Sequence, residues 1–459
     1  MNFTQAVRYV QSLSIQGWRL GNARFEAFLE RLGNPHLEIP CVHITGTNGK
    51  GSTTALVSSI LRAAGYRVGA YISPHVFDIR ERILLNGEMI PKELFAEGVA
   101  SMRPMIDRLC DTEYGQITEF EIKTALAFWA FRQAQVDIAV LEVGLGGRMD
   151  ATNVIIPELS VIVSIGLDHT DRLGPTHSDI AYEKAGIIKP GRPVVSGALH
   201  PDAAAMIAQV AAARRAPLYP VLLHGVDLPI RAMQPFFYSP LPSPTDSAVR
   251  VQHGKWEIAL QPYLIGDYQR HNTACAVATA VLLRERGYSI SDEAIERGVR
   301  EARLPGRLQV VAESPRVVLD GAHNPDAAAA LAKALPRLFK YRRLILVFGM
   351  LAPHEPQDTL KHLLPLADGV IFTTIASPRA YTAQALLQKA RQWLEANPRR
   401  TMPTLFATEN PQQAFEQARA ISDVDDLILV TGSLYLVGEW ECTQQGVLSQ
   451  GTIGLDVPN

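Results

Sequence analysis

One stretch limits what this chain can fold into more than any other. Thr45-Gly46-Thr47-Asn48-Gly49-Lys50-Gly51-Ser52-Thr53 stands between an apolar run from Pro40 to Ile44 and a helical pattern from Thr53 to Ala64. Small residues let backbone N–H groups close around phosphate oxygens, and the following helix turns its partial positive end toward the anion. Lys50 adds a mobile cation for the terminal phosphates, and Ser52 or Thr53 a hydroxyl for a phosphate or a magnesium ion. Buried strand, Gly-rich turn and helix, in that order, are the setting such a loop requires. Leu56, Ile60 and Ala63 fall on one face of the predicted helix, and Gly65 stops it. Gly51 is unusual, because it separates the lysine from the hydroxyl residues.

The same alternation continues down the chain. Strands are expected from Arg67 to Ile72, Asp137 to Leu141 and Leu159 to Ser164, giving a mostly parallel sheet covered by helices. The segment from Leu222 to Tyr263 departs from this. Its Pro- and Ser-rich PFFYSPLPSPTDS and the alternating WEIALQ predict a loop and β-hairpins on the sheet edge. A helix is expected from Asn272 to Arg286. After Leu304-Pro305-Gly306-Arg307 a second α/β pattern starts, with strands from Arg316 to Leu319, Leu344 to Phe348, Gly369 to Thr373 and Leu427 to Val430. Its helices fit Ala327 to Leu335 and Ala383 to Trp393. At 459 residues, two domains are expected, meeting near Pro305.

Composition removes several classes of function. The formal net charge is -2 and no long Lys/Arg run occurs, so no nucleic-acid partner is expected. No apolar stretch approaches a membrane span, and MNFTQAVRYVQSL has no basic segment leading into an apolar run. Cys41, Cys110, Cys275 and Cys442 are far apart, with no metal-knuckle spacing, and read as reduced thiols. Together these predict a cytoplasmic protein without membrane attachment.

GTNGKGST with its inserted glycine resembles the folylpolyglutamate synthase/dihydrofolate synthase family, a branch of the Mur-ligase superfamily. Further blocks follow in the family's order: Ser73-Pro74-His75, Glu81-Arg82-Ile83, Thr118-Glu119-Phe120-Glu121, Glu142 through Asn153 (EVGLGGRMDATN), Asp168-His169-Thr170 and Glu183-Lys184-Ala185-Gly186-Ile187. Leu304-Pro305-Gly306-Arg307, Asp320-Gly321-Ala322-His323-Asn324-Pro325 and Gly432-Ser433-Leu434-Tyr435 complete the set, and the likeness runs from about Gly21 to Glu439. Two segments depart from the family. After Phe348-Gly349-Met350 it usually shows Asp-Lys-Asp, whereas this chain has Ala352-Pro353-His354-Glu355; its LGxER-like segment here reads Leu20-Gly21-Asn22-Ala23-Arg24. A cell-wall or poly-γ-glutamate Mur-type ligase is the competing enzyme class, but cell-wall ligases usually have GTxGKT without the extra glycine. A nucleotide switch or transporter ATPase would leave the DGAHNP block unexplained.

The resemblance implies an α/β, Mur-ligase-like architecture. A P-loop ATPase domain with a parallel sheet would span residues 1–304, and a smaller, Rossmann-like glutamate ligase domain residues 305–459. The implied activity is ATP-dependent addition of L-glutamate to dihydropteroate, to tetrahydrofolates or to both, through an acyl phosphate. The implied ATP contacts are Gly46, Thr47, Asn48, Gly49, Lys50, Gly51, Ser52 and Thr53, with Asn272, Arg307 and Asp320. The implied pterin contacts are Thr118, Glu119, Phe120, Glu121, Met149, Asp150 and Ala151. Ser73, Glu142 and His169 would hold one magnesium ion. Glu142, at a strand end, is a hard oxygen ligand of the kind magnesium takes. Lys184, read as lying at the start of a short helical run, would carry a carbamate and hold a second ion. Lys50, Lys184 and His323 are the candidate catalytic groups, with Ser433 a weaker one facing the transferred phosphate or the incoming glutamate. A monomer acting on small molecules is expected.

Overall fold

The computed structural model describes residues 1–13, 21–398 and 401–444. Leu20 of the N-terminal segment noted above lies outside them. The first lobe is built on an eleven-stranded sheet: β1 (Cys41–Thr45), β2 (Val68–Tyr71), β3 (Ile83–Leu85), β4 (Glu88–Met89), β5 (Ile138–Glu142), β6 (Leu159–Ile162), β7 (Val194–Ser196), β8 (Leu218–Leu223), β9 (Phe236–Pro240), β10 (Val249–His253) and β11 (Trp256–Leu260). Their spatial order is β11-β10-β9-β8-β7-β6-β1-β5-β2-β3-β4. From β9 to β2 every neighbour is parallel, and antiparallel strands finish both edges. The Pro-rich segment thus gives the expected edge hairpin, β10–β11. Strand β1 lies between β5 and β6, and the chain leaves it first toward one side and then the other. Open parallel sheets place ligands at such a switch point, beyond the strand C-termini.

Strand β1 is buried along its whole length because both faces are covered. Phe25, Phe28, Phe95, Phe128 and Phe131 pack on one side of the sheet; Val42, Ile44, Leu56, Ile60, Val161 and Val277 pack on the other. The phosphate-loop helix runs Lys50–Ala63 and starts at the lysine itself. Gly49 turns the chain into it with φ +83, and a Cβ there would meet Asn272 Oδ1 at 2.2 Å. Only glycine meets both conditions. Another helix, Tyr268–Glu285, starts earlier than expected, so Asn272 lies one turn inside it rather than at its opening.

The second lobe has a six-stranded sheet: β12 (Gln309–Glu313), β13 (Arg316–Leu319), β14 (Leu344–Phe348), β15 (Gly369–Thr373), β16 (Thr404–Thr408) and β17 (Leu427–Thr431), in the order β12-β13-β17-β14-β15-β16. It is parallel except where β12 meets β13. Helices cover both faces over separate apolar layers. Among the described residues no helix is long and apolar enough to cross a membrane. All four cysteines are free thiols.

Candidate active site

The C-terminal ends of β1, β2, β5 and β6 open into a cavity of about 370 Å³, whose far wall is the second lobe. Gly46 to Ser52 form one side of it. Lys50 folds back over its own loop, with Nζ donating to the carbonyls of Gly46 at 2.9 Å and Thr47 at 3.2 Å. Lys184 reaches the same Gly46 carbonyl at 3.0 Å. It sits in the last turn of the helix His177–Ala185, not at the start of a helical run, because Thr176 caps that helix about two turns before the lysine-bearing block begins. Burial, and then the charge of Lys50, lower its pKa to about 7. Two ammonium groups on one carbonyl would repel, so an uncharged amine at Lys184 fits this contact.

Glu142 ends β5, is 2% exposed, and accepts the Ser73 backbone N–H at 3.0 Å. Burial raises its pKa, and the Lys50 charge opposes that rise. Its carboxylate oxygens would lie 3.7 and 3.9 Å from a Cβ on Gly51, so they face the start of the phosphate-loop helix. His169 follows β6 in left-handed backbone, φ 50, held by its N–H donating to Asp168 Oδ1 at 2.8 Å. Burial lowers the pKa of this imidazole to about 4, so it stands neutral, as a ligand must. Ser73, Glu142 and His169 all line the cavity.

A slot adjoins the loop. Thr118, Glu119, Phe120, Glu121, Met149, Asp150 and Ala151 line it, together with Arg24, Arg82 and Lys123. Several of these polar groups are committed to the protein itself. Thr118 caps the helix Glu119–Gln133 through the Glu121 N–H, and Glu121 holds Arg24 at 2.8 Å and the Thr118 N–H. Glu119 pairs with Lys123 at 3.1 Å. Asp150 accepts four hydrogen bonds, from the N–H groups of Gly144, Leu145 and Thr152 and from the Thr152 hydroxyl. A carboxylate offers about four lone-pair directions. Asp150 therefore fixes the Gly-rich turn and has little left for a pterin amine. The Phe120 ring lies where a Cβ on Gly144 would be 2.6 Å away, so it packs closely against that turn.

From the second lobe come Arg307, His323 and Ser433, with Leu351 to His354, Arg379 and Tyr435. His323 Nδ1 bonds the Gly321 carbonyl at 2.8 Å, which leaves Nε2 with its lone pair; burial lowers its pKa. Thr53, Asn272 and Asp320 do not line the cavity. Thr53 is fully buried, Asn272 backs Gly49, and Asp320 accepts the N–H groups of Leu308 and Ala322, both at 2.9 Å. Sequence reasoning gave no part to Arg24, Lys123, Asp168, His354 or Arg379. Arg24 and His354 stand inside the two segments that depart from the family pattern, and that was the available signal. Asp168 stands inside a recognised block and Lys123 just after one; Arg379 has no local pattern around it.

Comparison with known proteins agrees with this architecture. Residues 44–280 match the Mur ligase middle domain and residues 306–434 the Mur ligase glutamate ligase domain. The dihydrofolate synthase/folylpolyglutamate synthase of Bacillus subtilis is 37% identical over 429 residues, covering 92% of this chain and 94% of that protein. The folylpolyglutamate synthase of Lacticaseibacillus casei is 36% identical over 448 residues, covering 95% and 97%. The structure of Escherichia coli FolC in complex with DHPP and ADP superposes with a TM-score of 0.84 at 33% identity, covering 97% of this chain and 98% of that one. A bifunctional folylpolyglutamate synthase/dihydrofolate synthase with Mn, AMPPNP and L-glutamate bound gives 0.82 at 31% identity, with the same coverage. The chain belongs to the dihydrofolate synthase/folylpolyglutamate synthase family of Mur ligases and is an ATP-dependent acid–amino-acid ligase.

Proposed function

We propose that the enzyme adds L-glutamate to a pterin-bearing carboxylic acid, with dihydropteroate, a tetrahydrofolate or both as acceptor. The observation that carries this reading is the single cavity where the phosphate loop, the Phe120 slot and Arg307, His323 and Ser433 of the second lobe converge. Relatives bound to ADP with DHPP, or to AMPPNP, Mn and L-glutamate, support ATP, a divalent metal and small-molecule substrates. In the first step an acceptor carboxylate oxygen bonds to the γ-phosphorus and ADP leaves. In the second the glutamate amine bonds to the acyl carbon, phosphate leaves, and the amine loses a proton. The N–H groups of Gly49 to Ser52 hold phosphate oxygens, and Lys50 swings from its loop carbonyls to the terminal phosphates. Arg307 meets the same charge from the linker. His323 takes the amine proton at Nε2 and Ser433 orients the phosphate. Phe120, Met149 and Ala151 form the apolar wall for the pterin, while Thr118, Glu119, Glu121 and Asp150 hold that wall in shape. Asn272, Thr53 and Asp320 support the nucleotide site from behind.

A buried carboxylate facing the phosphate-loop helix, beside a serine, offers the oxygen ligands a magnesium ion takes, and the neutral imidazole of His169 is an unusual third ligand for that ion. Ser73, Glu142 and His169 would hold it, and a carbamate on Lys184 would hold a second. Such ions offset the repulsion between acceptor carboxylate and triphosphate, about 4 kcal/mol for unit charges at about 4 Å and an effective dielectric of 20. We divide the chain at Pro305 into a nucleotide-binding and a glutamate-ligase domain, and expect a cytoplasmic monomer. The test is ADP release by purified enzyme with labelled glutamate, Mg2+ and each acceptor in turn. Ligation requires acceptor and glutamate together; ATP hydrolysis that ignores both acceptors would overturn the reading.

A further inference from the structure

Asp168, His169 and His354 have one more relation to each other. The first two close the loop after β6 in the first lobe, and His354 comes from the loop after β14 in the second. Asp168 Oδ1 lies 3.7 Å from His354 Nδ1 and 4.0 Å from His169 Nε2, and one ligand atom from each of the three lies within 4.8 Å of the other two. These separations are too long for hydrogen bonds and slightly wider than a metal would set. Three ligands about 2.1 Å from a tetrahedral ion stand about 3.4 Å apart, so small side-chain rotations close the gap. The two imidazole rings meet edge to face, with centroids 5.4 Å apart. The carboxylate is already oriented. Its Oδ1 accepts the His169 N–H, and its Oδ2 accepts Asn324 Nδ2 at 2.9 Å, the same amide that donates to Asn48 Oδ1 at 3.2 Å. Each oxygen keeps a lone pair, and an oriented carboxylate is what a metal site needs behind its ligands. The three side chains are 9%, 26% and 20% exposed, which leaves an ion a way in.

Two imidazole nitrogens and one carboxylate suit a borderline divalent cation, not magnesium, which takes oxygen. We propose that Asp168, His169 and His354 form a binding site for a divalent cation of the zinc class, with ligands from both lobes. The site is complete only when the lobes stand as they do here, so an ion in it ties them together. Its effect on ligation rests on the reading of His169 as a magnesium ligand, since one imidazole cannot serve both ions; binding itself does not depend on that reading.

Cobalt(II) is the probe, added to chelator-treated full-length protein without nucleotide. One equivalent produces saturable visible d–d absorption that one equivalent of Zn2+ abolishes and millimolar Mg2+ does not. His354→Ala and Asp168→Asn weaken Co2+ binding at least about tenfold. His354→Lys, which puts a cation in the loop without emptying it, does the same. His200→Ala, in the half-buried stacked pair His177–His200 away from the cleft, binds as wild type. No saturable band, or unchanged binding in both His354 variants and Asp168→Asn, overturns the site. In the ligation assay at fixed Mg2+, Zn2+ inhibits wild type, and His354→Ala moves the inhibitory concentration up at least about tenfold. Loss of the Co2+ band without that shift keeps the site and overturns its effect on the magnesium set.

Discussion

Lys184 offers the sharpest quantitative test. It is 3% exposed, its Nζ donates to the Gly46 carbonyl, and its pKa of about 7 lies well under the 10.5 of a free lysine. For a base whose folded pKa is depressed, nothing is lost above the unfolded value, because the amine is neutral in both states. As pH falls from 10.5 toward 7 the unfolded chain takes up a proton that the folded chain refuses, and stability falls. At about 1.4 kcal/mol per unit, the loss between pH 10 and pH 7 is about 4 kcal/mol. Lys184→Met keeps most of the volume and removes the charge. Relative to wild type it therefore gains about 4 kcal/mol on going from pH 10 to pH 7, after a pH-independent loss of about 1 kcal/mol for the hydrogen bond. Guanidinium unfolding at both pH values, in CO2-free buffer without nucleotide, measures this. Parallel stability curves would refute the buried neutral amine, and with it the chemistry that lets carbon dioxide add there. The functional arm uses Lys184→Ala, which loses ligation and regains part of it with formate or acetate. Carbon-13 bicarbonate should give wild type a carbamate signal that Lys184→Ala lacks.

Three further outcomes follow from the geometry. Lys50→Ala removes the cation folded over the phosphate loop; ligation falls about a hundredfold or more while circular dichroism is unchanged, read by ADP release. Glu439, whose Oε1 accepts the Ala376 N–H, is raised by burial to about 7. Its folded form keeps a proton that the unfolded chain loses between pH 4.5 and 7, so Glu439→Gln matches wild type at pH 4.5 and is about 3 kcal/mol more stable at pH 8 by denaturant titration. Gly438→Ala would put a Cβ 2.0 Å from the Val76 carbonyl oxygen, across the join between the lobes. It shifts the second lobe off the cleft and lowers kcat about a hundredfold, while affinity for ADP, measured by calorimetry, changes little.

What sequence made legible was local. The phosphate loop carries its own context of strand, glycines and helix, so Gly46 to Ser52 could be placed without any tertiary information. Glu142 was readable because a strand end followed by glycines points at a ligand edge. Side-chain commitments were not readable. Nothing in Thr118-Glu119-Phe120-Glu121 says that Glu121 binds Arg24, ninety-seven residues away in sequence, or that Glu119 spends its charge on Lys123. Asp150 looked free to meet a substrate, yet four donors of its own turn occupy it. Helix ends misled for a related reason. Thr176 and its reciprocal partner Asp179 set the start of the helix that carries Lys184, and that capping pair lies outside the Glu183-Lys184 block that drew the eye. His354 joins Asp168 only through the packing of one lobe on the other.

That packing bears on how the enzyme turns over. Asp320 binds the N–H groups of Leu308 and Ala322, which fixes the chain just after the linker to the end of β13. Arg307 is therefore carried by the second lobe, although it faces a cavity whose floor belongs to the first. Asn324 reaches Asn48 and Asp168, and such bonds contribute about 1 kcal/mol each. Outside the cleft Arg337 meets Asp246 at 2.6 Å and Lys333 meets Asp267 at 3.1 Å, but both cations are substantially exposed, and exposed pairs contribute about 0–1 kcal/mol. These polar contacts are individually weak, and Val76 and Phe77 of the first lobe add apolar packing against the second. A triphosphate on the loop, by contrast, meets Arg307 only in the closed arrangement, and a ligand shifts a conformational equilibrium by its difference in affinity for the two states. We therefore expect bound ATP to bias the lobes toward closure, with His323 and Ser433 brought to the reacting carboxylate once the nucleotide is in place; an unchanged radius in small-angle scattering under saturating ATP analogue and folate would refute this.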